Sequence, residues 1–328
     1  MMSKMKYLYL GLSVAVLAGV PWAFKSPYFI HILIMTGLHS ALVLGYNLSV
    51  GGVGTLSLAH AAFYGLGGYV AALLTTRLGV SFVVELALAA IISGGLAFLM
   101  SLPSFRLPDR AFAIGTLAFA LVIEQVVHNW VSLTRGPMCI VPIPSPRVTL
   151  LLSTWEISSL IEYYYLALAL ALATFLFCNR LANSRIGRAC AAVRENETLA
   201  RSMGIDQLKY KMLALVVGAA ISGIVGACYA HYVQIICPTD IGLPVIINLL
   251  IMLFIGGVGT VRGSILGAVV FTFIPELLRV APTVRMLIYG ILLFATTSYM
   301  TGGLEGVVAK IFKRDSRLKD SPSARADS

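Results

Sequence analysis

Apolar runs of about 20 residues recur along this chain, the length a helix needs to cross a hydrocarbon core roughly 30 Å thick. After an apolar start (1–21), further runs lie at 28–48, 56–77, 80–101, 111–132, 160–181, 210–232, 241–255, 260–280 and 283–301, ten candidates in all. The run 241–255 is short for a full span and suits a half-helix or re-entrant piece. The segments are continuously apolar rather than alternating with period two, which disfavours a barrel. With 59% hydrophobic and 12% charged residues and a mean hydropathy of +0.90, a soluble core of this size is excluded. The expected fold is all-α: a polytopic helical membrane protein of about ten segments, some of them broken or re-entrant.

The net charge of +10 invites a nucleic-acid reading, but its placement argues otherwise. Basic residues gather at Lys4 and Lys6, at Arg106 and Arg110, through Arg180 to Lys211, and from Lys310 onward. Counting spans from an inside N-terminus puts every one of these clusters on the inner face, as the positive-inside rule requires. Residues 1–309 then form one membrane domain with both termini cytoplasmic, and 310–328 a polar, disordered cytoplasmic tail. The start resembles a signal peptide, yet VPWAF offers no small-x-small cleavage site, so it is expected to stay as the first helix. Loop 133–158 falls outside.

The inner loop Ser184 to Lys211 is the longest strongly charged stretch between the N-terminus and the tail. From Arg180 it carries seven basic residues against Glu195, Glu197 and Asp206. Its pattern is helical, with Ile186, Cys190, Val193 and Leu199 near one face and Gly204 as a stop. One reading is a solvated connector whose arginines set topology; the other is a docking element for a soluble partner.

GRACAAVRENETLARSMGI, followed by KYKMLALVVGAAISGIVGACYA, resembles the cytoplasmic loop and next helix of permease subunits in branched-chain amino-acid ABC importers. In that family the loop is a coupling helix seated in a cleft of the ATPase. The resemblance therefore assigns 183–206 to coupling, with Arg188, Arg194, Glu195, Asn196, Glu197 and Gly204 as the residues to test. GYNLSVGGVGTLSLAHAAFYGLGGYVAALL resembles the M-type permease, in which a similar segment precedes an Ala/Gly-rich helix. The likeness covers about residues 40–135 and 180–280. It implies a bacterial inner-membrane subunit working with a homologous H-type permease, two cytoplasmic ATPases and a periplasmic solute-binding protein. Arg135 and Pro137-Met138-Cys139 depart from the family's glycine-rich exterior loop, which leaves urea or short amides as alternative solutes.

GGVGT occurs twice, at Gly51–Thr55 and Gly256–Thr260, each between two apolar segments. Gly-interrupted segments in duplicated halves point to a transporter's pathway; the alternative is two tight turns. The pathway set is Gly51, Gly52, Gly54, Thr55, Ser57, His60, Glu124, Asn248, Gly256, Gly257, Gly259 and Thr260. Ser57 and His60 are polar groups in an apolar run, although a lone histidine more often packs than binds. Glu124 lies one helical turn before His128 and could pair with it; Asn248 suits solute or a neighbouring helix. Small-residue seams run through Ala61, Gly65, Gly68 and Ala72, through Gly218, Ser222, Gly226 and Ala230, and at Gly263 and Gly267.

No GK dipeptide occurs, so a Walker phosphate loop is absent, and no HExxH, GxSxG or metal-ligand spacing is present. The chain is expected to bind no cofactor and to catalyse nothing itself, with ATP hydrolysed by partners. A stand-alone secondary transporter or channel is the competing class. The five cysteines lack CxxC spacing; Cys139 and Cys237 both face outward, where a bridge is conceivable, although unpaired apolar fillers are commoner.

Overall fold

The computed structural model describes residues 17–21, 26–150, 153–277 and 290. Ten helices of six residues or more lie within them: α1 (Pro27–Asn47), α2 (His60–Leu78), α3 (Phe82–Ser104), α4 (Asp109–Asn129), α5 (Leu160–Ala182), α6 (Arg185–Glu195), α7 (Glu197–Ser202), α8 (Gln207–Val233), α9 (Leu243–Gly256) and α10 (Val261–Leu277). Among the described residues, six helical stretches are long and apolar enough to cross a membrane: Pro27–Gly52, Phe82–Ser104, Arg110–Asn129, Leu160–Ala182, Gln207–Val233 and Pro238–Gly256. The expected count of ten is thus not reproduced. The spans expected at 1–21 and 283–301 and the tail 310–328 fall almost wholly outside the described residues. Gly/Ala-rich α2 and short α10 are not among the six.

α8 runs through the middle, against α2 and α3, while α1 packs on α5 and α10. The small-residue seams explain the closeness. A methyl added to Gly226 would strike the Tyr64 carbonyl, and one added to Gly67 would strike the Gly223 backbone. Gly256, Gly263 and Gly267 likewise let α9 and α10 touch backbone to backbone. Such contacts replace the hydrophobic drive that is missing between helices in lipid.

α1 does not end as a plain α-helix. Leu48–Gly52 widens into a π-turn, a feature that often marks functional sites. The chain then runs without helix from Gly54 to Ala59 before α2 begins at His60, four residues later than expected. Gly218, 11 residues into α8, packs between the Gly45 carbonyl and His60, about 16 Å from that helix's start. The irregular stretch therefore penetrates the bundle, where unpaired backbone is costly. It is satisfied internally: Leu58 N–H donates to Thr116 Oγ1 (3.0 Å), and the Thr55 N–H donates to Ser49 O (3.1 Å).

At the end opposite the basic loop, residues 131–157 fold back over the bundle. Arg147–Leu150 and Ser153–Glu156 form an antiparallel hairpin, which the sequence pattern did not suggest, closed by an Arg147–Glu156 ion pair. Ile140 and Ile236 bridge as isolated strand partners, and Cys139 and Cys237 form a disulfide beside them. Cys178, Cys190 and Cys228 are free and buried. Arg135 takes φ +61° and donates from Nη1 to Val141 O at 3.0 Å.

Candidate coupling junction and solute pathway

The two GGVGT loops meet. Gly51 lies so close to Gly259 that a side chain on it would overlap the Gly259 backbone and Asn47 Oδ1. Asn47, the last residue of α1, joins them: Oδ1 accepts from Gly259 N–H (2.9 Å) and Nδ2 donates to Thr260 O (3.0 Å). The glycines at the fourth position of the two copies share a left-handed backbone, φ +85° at Gly54 and +90° at Gly259, a conformation glycine adopts cheaply. The copies differ at the second position, where Gly52 lies in the π-turn and Gly257 has φ +114°. The copies lie together at the same end of the bundle.

The basic loop closes over that junction. Arg194 Nη1 donates to Gly51 O at 2.6 Å. Its Cγ lies 3.2 Å from where a Cβ on Gly54 would stand, and its guanidinium fills the space beside Gly259. A cation belongs here, because the unpaired carbonyls at helix C-termini carry partial negative charge, and both α1 and α9 end at this point. Beneath Arg194, Val53 of the first GGVGT is buried with Cys190, Val193, Ala200 and Ala214. Burial pushes the Cys190 thiol up from its ordinary pKa, so it packs rather than reacts. Thus Arg194 of the expected coupling set and the glycines of the expected pathway set, inferred separately, form one contact.

The loop itself departs from the single-helix expectation. Asn196, with φ −160°, ends α6 and caps α7, its Oδ1 accepting from Leu199 N–H at 3.0 Å. The break turns α7 relative to α6, so Leu199 is 62% exposed and Ala200 takes the inner position instead. Ser184 caps α6 through the Gly187 amide, and Gly204 ends the unit at φ +80°. Glu197 is paired inward to Lys211, whose side chain is buried. Arg188 donates to Asn183 O (3.2 Å), and Glu195, Leu199 and Met203 are exposed.

The remaining expected pathway residues scatter. Ser57 and His60 are buried in packed surroundings; His60 has Tyr46 at 4.8 Å between ring centroids and Ser49 Oγ at 3.5 Å. Glu124 is half-buried against Gly242, and among the described ion pairs none joins it to His128. Gly52, Gly256, Gly257, Thr55 and Thr260 belong to the junction. Asn248 alone of the set lines a cavity of about 150 Å³ enclosed by α1, α2, α8, α9, α10 and the Pro238–Asp240 turn.

One buried cluster went unanticipated. His231 Nε2 lies 2.6 Å from Glu85 Oε2, both side chains essentially sealed, and Thr75 donates to Glu85 Oε1 at 2.6 Å. His231 Nδ1 reaches Pro144 O at 2.9 Å, and Tyr163 donates to the His231 carbonyl. Glu85 inside an apolar run was the legible signal; its partner, 146 residues away, was not.

Six helical stretches long and apolar enough to cross a membrane, with a duplicated broken-helix loop and a cavity among them, define a polytopic membrane protein. The family model described as the permease component of branched-chain amino acid transport systems matches residues 28–297, and the chain belongs to that family. It is 31% identical to the high-affinity branched-chain amino acid transport system permease protein LivM of Salmonella typhimurium and 29% identical to that of Escherichia coli K12. Each alignment spans 87% of this chain and 72% of the relative. Similarity to Salmonella typhimurium LivH is 25% over 71% of this chain and 79% of that one. No solved structure matches.

Proposed function

We propose that this chain is the M-type permease of an ATP-driven importer for branched-chain amino acids in the bacterial inner membrane. It works beside an H-type permease, with two cytoplasmic ATPases gripping its basic loop and a periplasmic protein delivering solute. Family membership and the LivM and LivH relatives support this, as does the basic composition of the loop end, which makes that end cytoplasmic.

The observation that carries the reading is Arg194 seated on Gly51 between the paired GGVGT loops. α6 and α7 turn one face inward onto Val53 and Ala214 and leave Glu195, Leu199 and Met203 open for a partner. When the ATPases close, α6 moves. Through Val53 and Arg194 that motion reaches the ends of α1, α9 and α10, three of the helices around the cavity. Rigid helices then convert it into alternating access. Arg188, Asn196, Glu197 and Gly204 hold the lever's shape rather than contact solute, and this chain carries no nucleotide or cofactor of its own.

The test is co-purification of the ATPase subunits with Leu199→Asp/Met203→Asp in the full complex. The membrane subunits should still assemble with each other while the ATPases are lost. Undiminished ATPase recovery would overturn the docking assignment.

A further inference from the structure

We infer that the cavity between α1, α9 and α10 is an intramembrane solute station for a zwitterionic aliphatic amino acid, with Asp240 accepting the solute's ammonium group. This rests on the import reading and locates the chemistry that selects the solute.

Polar groups and an apolar wall share the lining of the cavity. Asp240 stands in the turn before α9. Its Oδ2 accepts from Cys237 N–H at 2.8 Å, while among the described residues no lysine or arginine pairs with it. A half-buried carboxylate without a cation is costly; a ligand ammonium supplies what is missing. His39 adds an acceptor. Thr272 Oγ1 donates to Ala268 O (2.8 Å) and so accepts from His39 Nδ1 (3.0 Å), which leaves the other ring nitrogen as a bare acceptor. The Asn248 amide and the Tyr64 and Tyr229 hydroxyls have no hydrogen-bond partner among the described residues, and all three line the same space. They provide the donors that a ligand carboxylate needs.

Farther along α9, Leu249 and Met252 line the space together with Leu42 and Phe271. From Val245 to Met252 the wall runs roughly 10 Å, seven residues at the helical rise. A cavity of about 150 Å³ takes a ligand of about benzene's size, the size class of a small branched amino acid. Charged head toward Asp240 and aliphatic tail toward Met252 is the orientation that leaves neither end mismatched. A neutral diamide such as urea would leave Asp240 uncompensated and the apolar wall empty.

The experiment uses Val245→Cys, on the cavity wall, in the full importer complex in proteoliposomes, without nucleotide, modified by a small methanethiosulfonate reagent that forms a mixed disulfide. The wild-type complex is the control, since Cys178, Cys190 and Cys228 are buried. Leucine is expected to slow the modification about fivefold once the site is mostly occupied, whereas N-acetyl-leucine, which lacks the ammonium, and urea leave the rate unchanged. Asp240→Asn keeps an oxygen for the Cys237 amide, so its expected loss of leucine protection reads charge rather than folding. No modification of the Val245→Cys variant, equal rates with and without leucine, equal protection by urea, or protection that survives Asp240→Asn would each overturn the station. No ATP is consumed, so the result stands apart from the docking test: a chain that lost its ATPases could still protect, and a coupled chain could fail to.

Discussion

At the scale of single residues, the junction depends on groups too small or too well placed to exchange. Gly51→Ala would drive a methyl into Asn47 and the Gly259 backbone. Overpacking of this kind costs about 1–3 kcal/mol, and thermal unfolding of the purified complex should show the lower midpoint; an unchanged midpoint would contradict the contact. Asn47→Leu is expected to be comparably harmful, since it strands the Gly259 N–H, although the Thr260 carbonyl keeps its bonds from Ser264. His231→Leu leaves the Glu85 carboxylate sealed with Thr75 alone. Breaking a buried pair costs about 3–5 kcal/mol, whereas the double change Glu85→Leu/His231→Leu should recover much of that stability. Additive losses in that cycle would show the two side chains to be independent.

The helices themselves were largely legible. Apolar runs expected at 28–48, 80–101, 160–181 and 210–232 became helices at Pro27–Asn47, Phe82–Ser104, Leu160–Ala182 and Gln207–Val233, because length and hydropathy are local properties. What failed depends on breaks within elements. Ser57 and Leu58 read as helix by hydropathy, yet they lie in irregular backbone held by Thr116 from another helix. Leu199 fits the inner face of one continuous helix, but the cap at Asn196 restarts the phase. Asn196→Ala should therefore cost about 1 kcal/mol of cap energy and, more tellingly, loosen α7. Hydrogen exchange should quicken at Leu199–Ser202 and stay slow in α8; unchanged exchange would mean that the cap does not hold α7. The hairpin at 147–156 was missed because its pairing depends on the fold-back over the bundle rather than on any alternation of its own.

Across the whole molecule, the disulfide end and the basic-loop end do different work. Cys139–Cys237 and the Ile140–Ile236 bridge fasten the fold-back segment to the turn that presents Asp240. Removing the bridge with Cys139→Ser/Cys237→Ser is expected to cost about 2–5 kcal/mol and to weaken leucine protection at the cavity while ATPase docking persists. The opposite end is where the proposed function has force enter. Both GGVGT copies were legible as a repeat, but their meeting under Arg194 was not, since residues 51, 194 and 259 come together only through the packing of α1, α6 and α9. If that meeting transmits the stroke, the link must matter more than the charge. The most direct measurement compares leucine uptake and leucine-stimulated ATP hydrolysis in the reconstituted importer carrying Arg194→Ala, with assembly checked by co-purification. The account predicts an intact complex whose uptake falls at least about tenfold, a loss of about 1.4 kcal/mol of coupling, and whose ATP hydrolysis no longer responds to leucine. Normal uptake with normal leucine stimulation in that variant would contradict it.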